Sequence, residues 1–178
     1  MPFRDLKLNL QCIWKQEMVF FLTTREEWGA LSPLEPPIPL KLPVRDIVLT
    51  YVRNWSGYIE DDHIDYTGQV QALQRRQIEE KKLSDIKYNF LVTPQGQTYE
   101  CRGWHGAVPA PKHRPEWSNN VLVIAQLNWR VADGYFRPMI QAIYELVRFG
   151  VMVGYIKKRH QFLETKPWRC PKVIPKLQ

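Results

Sequence analysis

The sequence predicts a single-domain α/β fold, a mixed central β-sheet flanked by helices, and three observations carry that expectation. Val44 to Val52, VRDIVLTYV, is a Val- and Ile-rich run of the kind that forms a strand buried on both faces. Pro94-Gln95-Gly96 stands between two short strand-like stretches and has the chemistry of a hairpin turn. Met139, Ile140, Ile143, Leu146, Val147, Gly150 and Val151 recur at three- and four-residue steps, the period of a helix with one face on a core. Strand, helix, hairpin, strand and helix in that order give a sheet covered by helices.

Taken in order, residues 1–20 form an amphipathic lead-in without a motif, and residues 21–178 form the domain. Thr24-Arg25-Glu26-Glu27 has the pattern of a capping box. The Thr hydroxyl can accept from one orphan amide while Glu27 reaches back to another, and Trp28-Gly29 closes that short helix. The proline-rich stretch from Pro33 to Pro43 predicts an extended crossing loop, not a linker between domains. After the strand at Val44–Val52, the polar segment Arg53–Thr67 reads as loop, and Gly68 to about Lys82 reads as a helix with Val70, Leu73 and Gln77 on one face. The hairpin joins Tyr88–Thr93 to Gln97–Arg102, Asn120–Asn128 is a further strand, and Pro138 sits in the first turn of the last helix, where proline is tolerated. Lys157, Lys158 and Arg159 are expected at a solvated helix end, where cations suit the dipole.

The chain has 178 residues, 44% hydrophobic and 12% aromatic, enough for one substantial core and unlike a disordered chain. No apolar run approaches the roughly 20 residues of a membrane helix. The opening MPFRDLKLNLQCIW lacks the apolar core and cleavage site of a secretory signal, so a cytosolic form or a piece of a longer chain is expected. A formal charge of +7 suits a polyanionic partner in principle, but the basic residues are spread out and match no nucleic-acid motif. Cys12, Cys101 and Cys170 are too few and too far apart for a disulfide framework or a zinc ribbon. Asp61, Asp62, His63 and Asp65 form an acidic cluster without the Gly and terminal Glu of a calcium loop. His105 and His113 flank a proline-containing loop and read as surface residues, and no Ser-His-Asp or Cys-His order emerges.

Asp85 to Trp104, DIKYNFLVTPQGQTYECRGW, resembles the central hairpin of the peptidoglycan recognition proteins, which runs close to D-I-G-Y-N-F … G … Y-E-G-R-G-W. Two further motifs follow the same order: T-R-E-E-W-G-A for the family's S-R-x-E-W-G-A, and L-V-R-F-G-V-M-V-G for L-L-x-x-G-V-x-x-G. The resemblance covers residues 22 to about 175. It implies the amidase-like peptidoglycan recognition fold, and a family whose catalytic members are zinc amidases while others are receptors that bind muropeptide without cutting it. Most secreted members carry a cysteine pair that would fall near Glu60 and Tyr66, so the bridge is not expected here.

The resemblance also implies a zinc site made by a His from the first strand, a second His and a Cys near the carboxyl end, and a hairpin Tyr beside the metal. The family's His-His-Thr lies over Thr50, Tyr51 and Val52, and the later ligands fall on Thr165 and Val173. Aligning the end instead through Glu164-Thr165 and Cys170-Pro171, with His160 slid toward the metal, needs compensating gaps. Only the hairpin Tyr is kept, as Tyr88. The expected metal-site positions are therefore Tyr51, Tyr88, Thr165 and Val173, with no catalytic residue, no metal and no cofactor. For the muropeptide groove the implied places are Thr50, Gln77, Arg102, Trp104, His105 and Asn119, with Gln74 over the helix Gln and Val108 where the family has the His of G-A-H.

The function expected from these places is that of a non-catalytic regulator of innate immune signalling against bacteria, acting through related recognition receptors. The alternative is a receptor module that binds muropeptide directly. A residual amidase is the third reading, and neither a nucleic-acid partner nor a membrane segment is expected.

Overall fold

A computed structural model describes residues 21–52, 65–127 and 136–164. Its elements are β1 (Leu22–Thr23), β2 (Val44–Tyr51), α1 (Tyr66–Glu79), β3 (Phe90–Val92), β4 (Thr98–Glu100), a 3₁₀ turn (Pro115–Trp117), β5 (Val121–Gln126), α2 (Phe136–Met152) and β6 (Ile156–Glu164). The strands form one six-stranded sheet in the order β1-β4-β3-β5-β2-β6. Among the described strand pairs only the β3–β4 hairpin is antiparallel. The mixed sheet with helices predicted from the sequence is the fold observed.

Each sheet face carries its own core. Ile47, Leu49, Phe90, Val92, Leu122 and Ile124 pack with Met139, Ala142, Ile143, Leu146 and Val147 of α2. Val48, Leu91, Tyr99, Val121, Val123 and Ala125 pack with Tyr66, Val70 and Leu73 of α1 and with Trp28. Strand side chains alternate between faces, so the central strands must be apolar on both, as β5 is from Val121 to Ala125. The hairpin turn closes with Thr93 N–H donating to Gln97 O at 2.9 Å and Gly96 N–H to Thr93 O at 3.0 Å. Gly96 holds φ +88°, and a Cβ there would sit 2.8 Å from the Pro138 carbonyl at the start of α2. The capping box also forms: Thr24 N–H donates to Glu27 Oε2 at 2.7 Å, and Glu27 N–H to Thr24 Oγ1 at 3.3 Å, around a single turn.

The structure corrects two sequence expectations. α1 begins at Tyr66, two residues earlier than Gly68, because Asp65 is its N-cap and accepts from Gly68 N–H at 2.9 Å. Lys157, Lys158 and Arg159 lie in β6, not at a helix end. Between Val44↔Ile156 and Asp46↔Gln161 the register shifts, so these exposed cations occupy an irregularity that hides strand alternation from the sequence. Among the described residues no helix is long and apolar enough to cross a membrane.

Candidate functional site

The carboxyl end of β2 and the hairpin Tyr88 were the sequence-derived places for chemistry. Ile47 and Leu49 belong to the core under α2, whereas Val48 and Val52 belong to the core under α1. Alternation therefore places Thr50 on the α1 side and Tyr51 on the α2 side. The register agrees, for Thr50 pairs with Ala125 of the α1-side core and Tyr51 with Gln126. Tyr88 is buried in the α1-side core, with Lys87 Nζ 5.7 Å from its ring centroid. Tyr88 and Thr50 thus share a face, and Tyr51 does not. Thr165 and Val173 lie outside the described residues, as do Asp61, Asp62, His63, Cys12 and Cys170. His160 is half-buried, with Nδ1 3.0 Å from Lys157 O and its ring edge-on to Phe162. Among the described residues, no three His, Cys, Asp or Glu side chains are grouped so as to hold a metal ion.

The groove candidates divide into two groups. Gln77 and Arg102 both brace the segment that leads into the hairpin. Gln77 is buried and its Oε1 accepts from Lys87 N–H at 2.8 Å. Arg102 donates through Nε to Ile86 O at 2.7 Å, through Nη1 to Ala107 O at 3.2 Å, and through Nη2 to Asp85 O at 3.3 Å and Ser84 Oγ at 3.4 Å. Burial pushes its pKa down, partly opposed by the Asp85 carboxylate, but an arginine stays charged at neutral pH. Trp104, His105 and Asn119 gather instead around the crossing loop and the end of α2. Trp104 is 7% exposed and packs on Phe90 and Tyr155 at centroid distances of 4.7 and 5.3 Å. His105 is exposed, edge-on to Tyr155 at 5.3 Å. Asn119 holds φ +51° and accepts from Lys41 N–H at 2.9 Å. Val108 is half-buried against the α1-side core.

Sequence reasoning missed a polar network beneath these residues. Asp85 is 2% exposed; its Oδ2 accepts from Arg25 at 2.9 Å, and its Oδ1 from Gln74 Nε2 and Ile86 N–H, each at 2.7 Å. Arg25 also donates to Leu31 O at 2.7 Å and to Cys101 O, and Gln74 Oε1 accepts from Leu31 N–H at 2.8 Å. The network ties the capped turn, α1 and the hairpin into one body. Its members stood inside the quoted motifs, and the available signal was a charged residue of each sign in segments otherwise destined for the core.

Cys101 is wholly buried beside this network, and burial raises its thiol pKa far above the ordinary range of a free thiol. Burial raises Tyr99 as well. A group with a raised folded pKa holds its proton more tightly folded than unfolded. Its stabilising effect is complete below the unfolded value and is lost as pH rises beyond it. Between pH 7 and about 8.5 stability should therefore be level, and above that it should fall by about 1.4 kcal/mol per pH unit for the thiol alone, steepening near pH 10 as Tyr99 joins. Thermal melts from pH 7 to 11 check this, and Cys101→Ala should remove the first part of the decline.

Similarity to known proteins fits this geometry. No protein-family model matches the chain. Peptidoglycan recognition protein 1 of Bos indicus is 31% identical over 142 residues, 79% of this chain and 70% of the relative. Peptidoglycan recognition protein 3 of Mus musculus is 28% identical over 169 residues, 87% of this chain and 46% of the relative, so the chain spans about half the length of that protein. Among solved structures, the ectodomain complex of peptidoglycan recognition proteins LCa and LCx with tracheal cytotoxin bound superposes at a TM-score of 0.69, covering 82% of this chain and 83% of that one. At 19% identity, that last likeness speaks to the fold alone.

Proposed function

The chain belongs to the peptidoglycan recognition protein family, and from that premise we propose that it is a non-catalytic member that regulates innate immune responses to bacteria by contacting related receptors. The observation that carries this reading is the donor set around Tyr88. On its sheet face β2 offers the Thr50 hydroxyl, and strand alternation turns the neighbouring Tyr51 toward the opposite face. Hydrolytic zinc wants imidazole, thiolate or carboxylate. An aliphatic hydroxyl does not supply this, and a phenol with a pKa of about 10 is a poor ligand at neutral pH. The donors described here do not fit zinc, so no hydrolytic step is derived through it.

The groove candidates support a protein partner over a muropeptide. A ligand carboxylate approaching Arg102 would compete with the four acceptors that the guanidinium already meets. The Gln77 carbonyl is held by a backbone amide, and the Trp104 ring lies within the core. Each polar ligand group buried without a partner costs roughly 1–3 kcal/mol. Peptidoglycan recognition proteins LCa and LCx form an ectodomain complex with tracheal cytotoxin bound, and a contact with a relative is the proposed role here.

Three measurements test the proposal. Incubation with purified cell wall and added zinc is expected to release no muropeptide, and cleavage products would overturn the non-catalytic reading. Calorimetry with diaminopimelate-type and lysine-type muropeptides should give no saturable heat up to about 1 mM, equivalent to binding weaker than roughly −4 kcal/mol. Micromolar binding of either would favour the direct receptor instead. A pull-down with ectodomains of related recognition receptors should retain the chain without added muropeptide.

A further inference from the structure

The crossing loop before β2 reads Pro33-Leu34-Glu35-Pro36-Pro37-Ile38-Pro39-Leu40-Lys41, and residues 31–39 are all exposed. Leu34 is 68% and Ile38 62% exposed, large apolar side chains left in water. Pro36, Pro37 and Pro39 have φ fixed near −65°, Pro36 and Ile38, each preceding a proline, are restricted to the extended region, and the chain enters this run through a bend at Leu34 and Glu35. No helix forms here, and the single bridge, Pro39 to Gly106, does not grow into a ladder.

A backbone so restricted follows the polyproline II course, with about three residues per turn. From Pro36 onward its side chains then fall on three edges: Pro37 and Leu40; Ile38 and Lys41; Pro36 and Pro39. Leu40 is 6% exposed and belongs to the α2-side core, so its edge turns inward there. Ile38, Lys41, Pro36 and Pro39 on the other two edges all face solvent.

We infer that this segment is a ligand for an SH3-type domain, displayed on the surface of the fold. Such domains seat the two prolines of P-x-x-P in successive aromatic grooves. An acidic pocket beside the grooves takes a cation two residues after the second proline. Pro36, Pro39 and Lys41 have that spacing. The residue between Pro39 and Lys41 contacts no groove in that mode, and here it is Leu40, the one residue of the series that the fold buries. The segment is already anchored at both ends. Leu34 N–H donates to Ser84 O at 2.8 Å, Leu40 N–H to His105 O at 2.7 Å, Lys41 N–H to Asn119 O at 2.9 Å, and Ile38 O accepts from Ala107 N–H at 2.7 Å. Docking would therefore order little new chain, which favours binding by a short motif. The absence of a Tyr in the segment, together with the lysine, selects the cation-reading class among proline-binding domains.

The test titrates the whole chain with a panel of purified SH3 domains that read P-x-x-P-x-K or P-x-x-P-x-R. At least one should bind with a Kd of roughly tens of micromolar. Lys41→Glu and Pro36→Ala should each weaken that complex about tenfold or more without shifting the chain's melting temperature, and added salt should weaken it further. If no domain of the panel binds below about 1 mM, or if Lys41→Glu binds as well as the parent chain, the inference is overturned.

Discussion

Asp85→Ala is expected to destabilise the fold by roughly 3–5 kcal/mol, a fall in melting temperature on the order of 10 °C for a chain of this size. The carboxylate is almost fully buried and accepts from a guanidinium, a side-chain amide and a backbone amide belonging to three different segments. Removing it leaves Arg25 facing the carbonyls of Leu31 and Cys101 without a counter-charge, and leaves Ile86 N–H without its side-chain acceptor. Asp85→Asn should cost less. Its oxygen can still accept from Gln74 and Ile86, but its amide nitrogen then meets Arg25, donor against donor. Arg25 is about a quarter exposed, so Arg25→Met should be milder than Asp85→Ala. The double variant should recover part of the loss, with a coupling energy of about 0.5–3 kcal/mol. Denaturant melts of the four proteins measure the cycle. A loss below about 1 kcal/mol in Asp85→Ala would mean that the segments are held together by apolar packing alone.

The same residues explain why fold was more legible than chemistry. Arg25 and Trp28 sit in T-R-E-E-W-G-A, and Asp85 and Asn89 in D-I-K-Y-N-F, the motifs that carried the family resemblance. Each does structural work. The Trp28 indole donates to Glu100 O at 2.7 Å. Buried Asn89 donates to Gly103 O and Gly106 O at 2.8 and 2.7 Å and accepts from Val123 N–H at 2.8 Å. The motifs therefore mark the scaffold, and a scaffold does not settle what its site does. The Arg25–Asp85 pair spans 60 residues, and Arg102 reaches back across the whole hairpin to Ser84, Asp85 and Ile86, so neither could be read from local pattern.

Local signals succeeded where the geometry is local. The hairpin turn needs only Pro-Gln-Gly, and α2 only its three- and four-residue rhythm, met by Met139, Ile143, Leu146, Val147 and Gly150. They failed where the chain leaves its period. β6 was hidden by the exposed cations at 157–159, and the start of α1 by a cap residue embedded in an acidic run. The metal places show the sharpest limit. Thr50 and Tyr51 are adjacent in sequence, yet strand alternation turns them to opposite faces of the sheet, which a motif read along the chain does not display.

Trp104→Ala should cost about 3–5 kcal/mol, because the ring fills the space between sheet and α2. It touches Phe90, Phe149 and Tyr155 at centroid distances of 4.7, 6.1 and 5.3 Å. Gly150 gives it room: a Cβ there would stand 2.8 Å from two ring carbons and 2.6 Å from Ile156 Cδ1. Gly150→Ala alone is therefore expected to overpack the site by roughly 1–3 kcal/mol. In the Trp104→Ala background the vacated space admits the added methyl and lets the end of the Ile156 side chain swing clear of it, so the same substitution should cost close to nothing or stabilise slightly. That reversal separates a packing role from a binding one. A groove residue would lose ligand affinity at an unchanged melting temperature and would be indifferent to Gly150. If Trp104→Ala melts like the parent chain, the ring belongs to the groove, and the case for a protein partner over a muropeptide loses one of its supports.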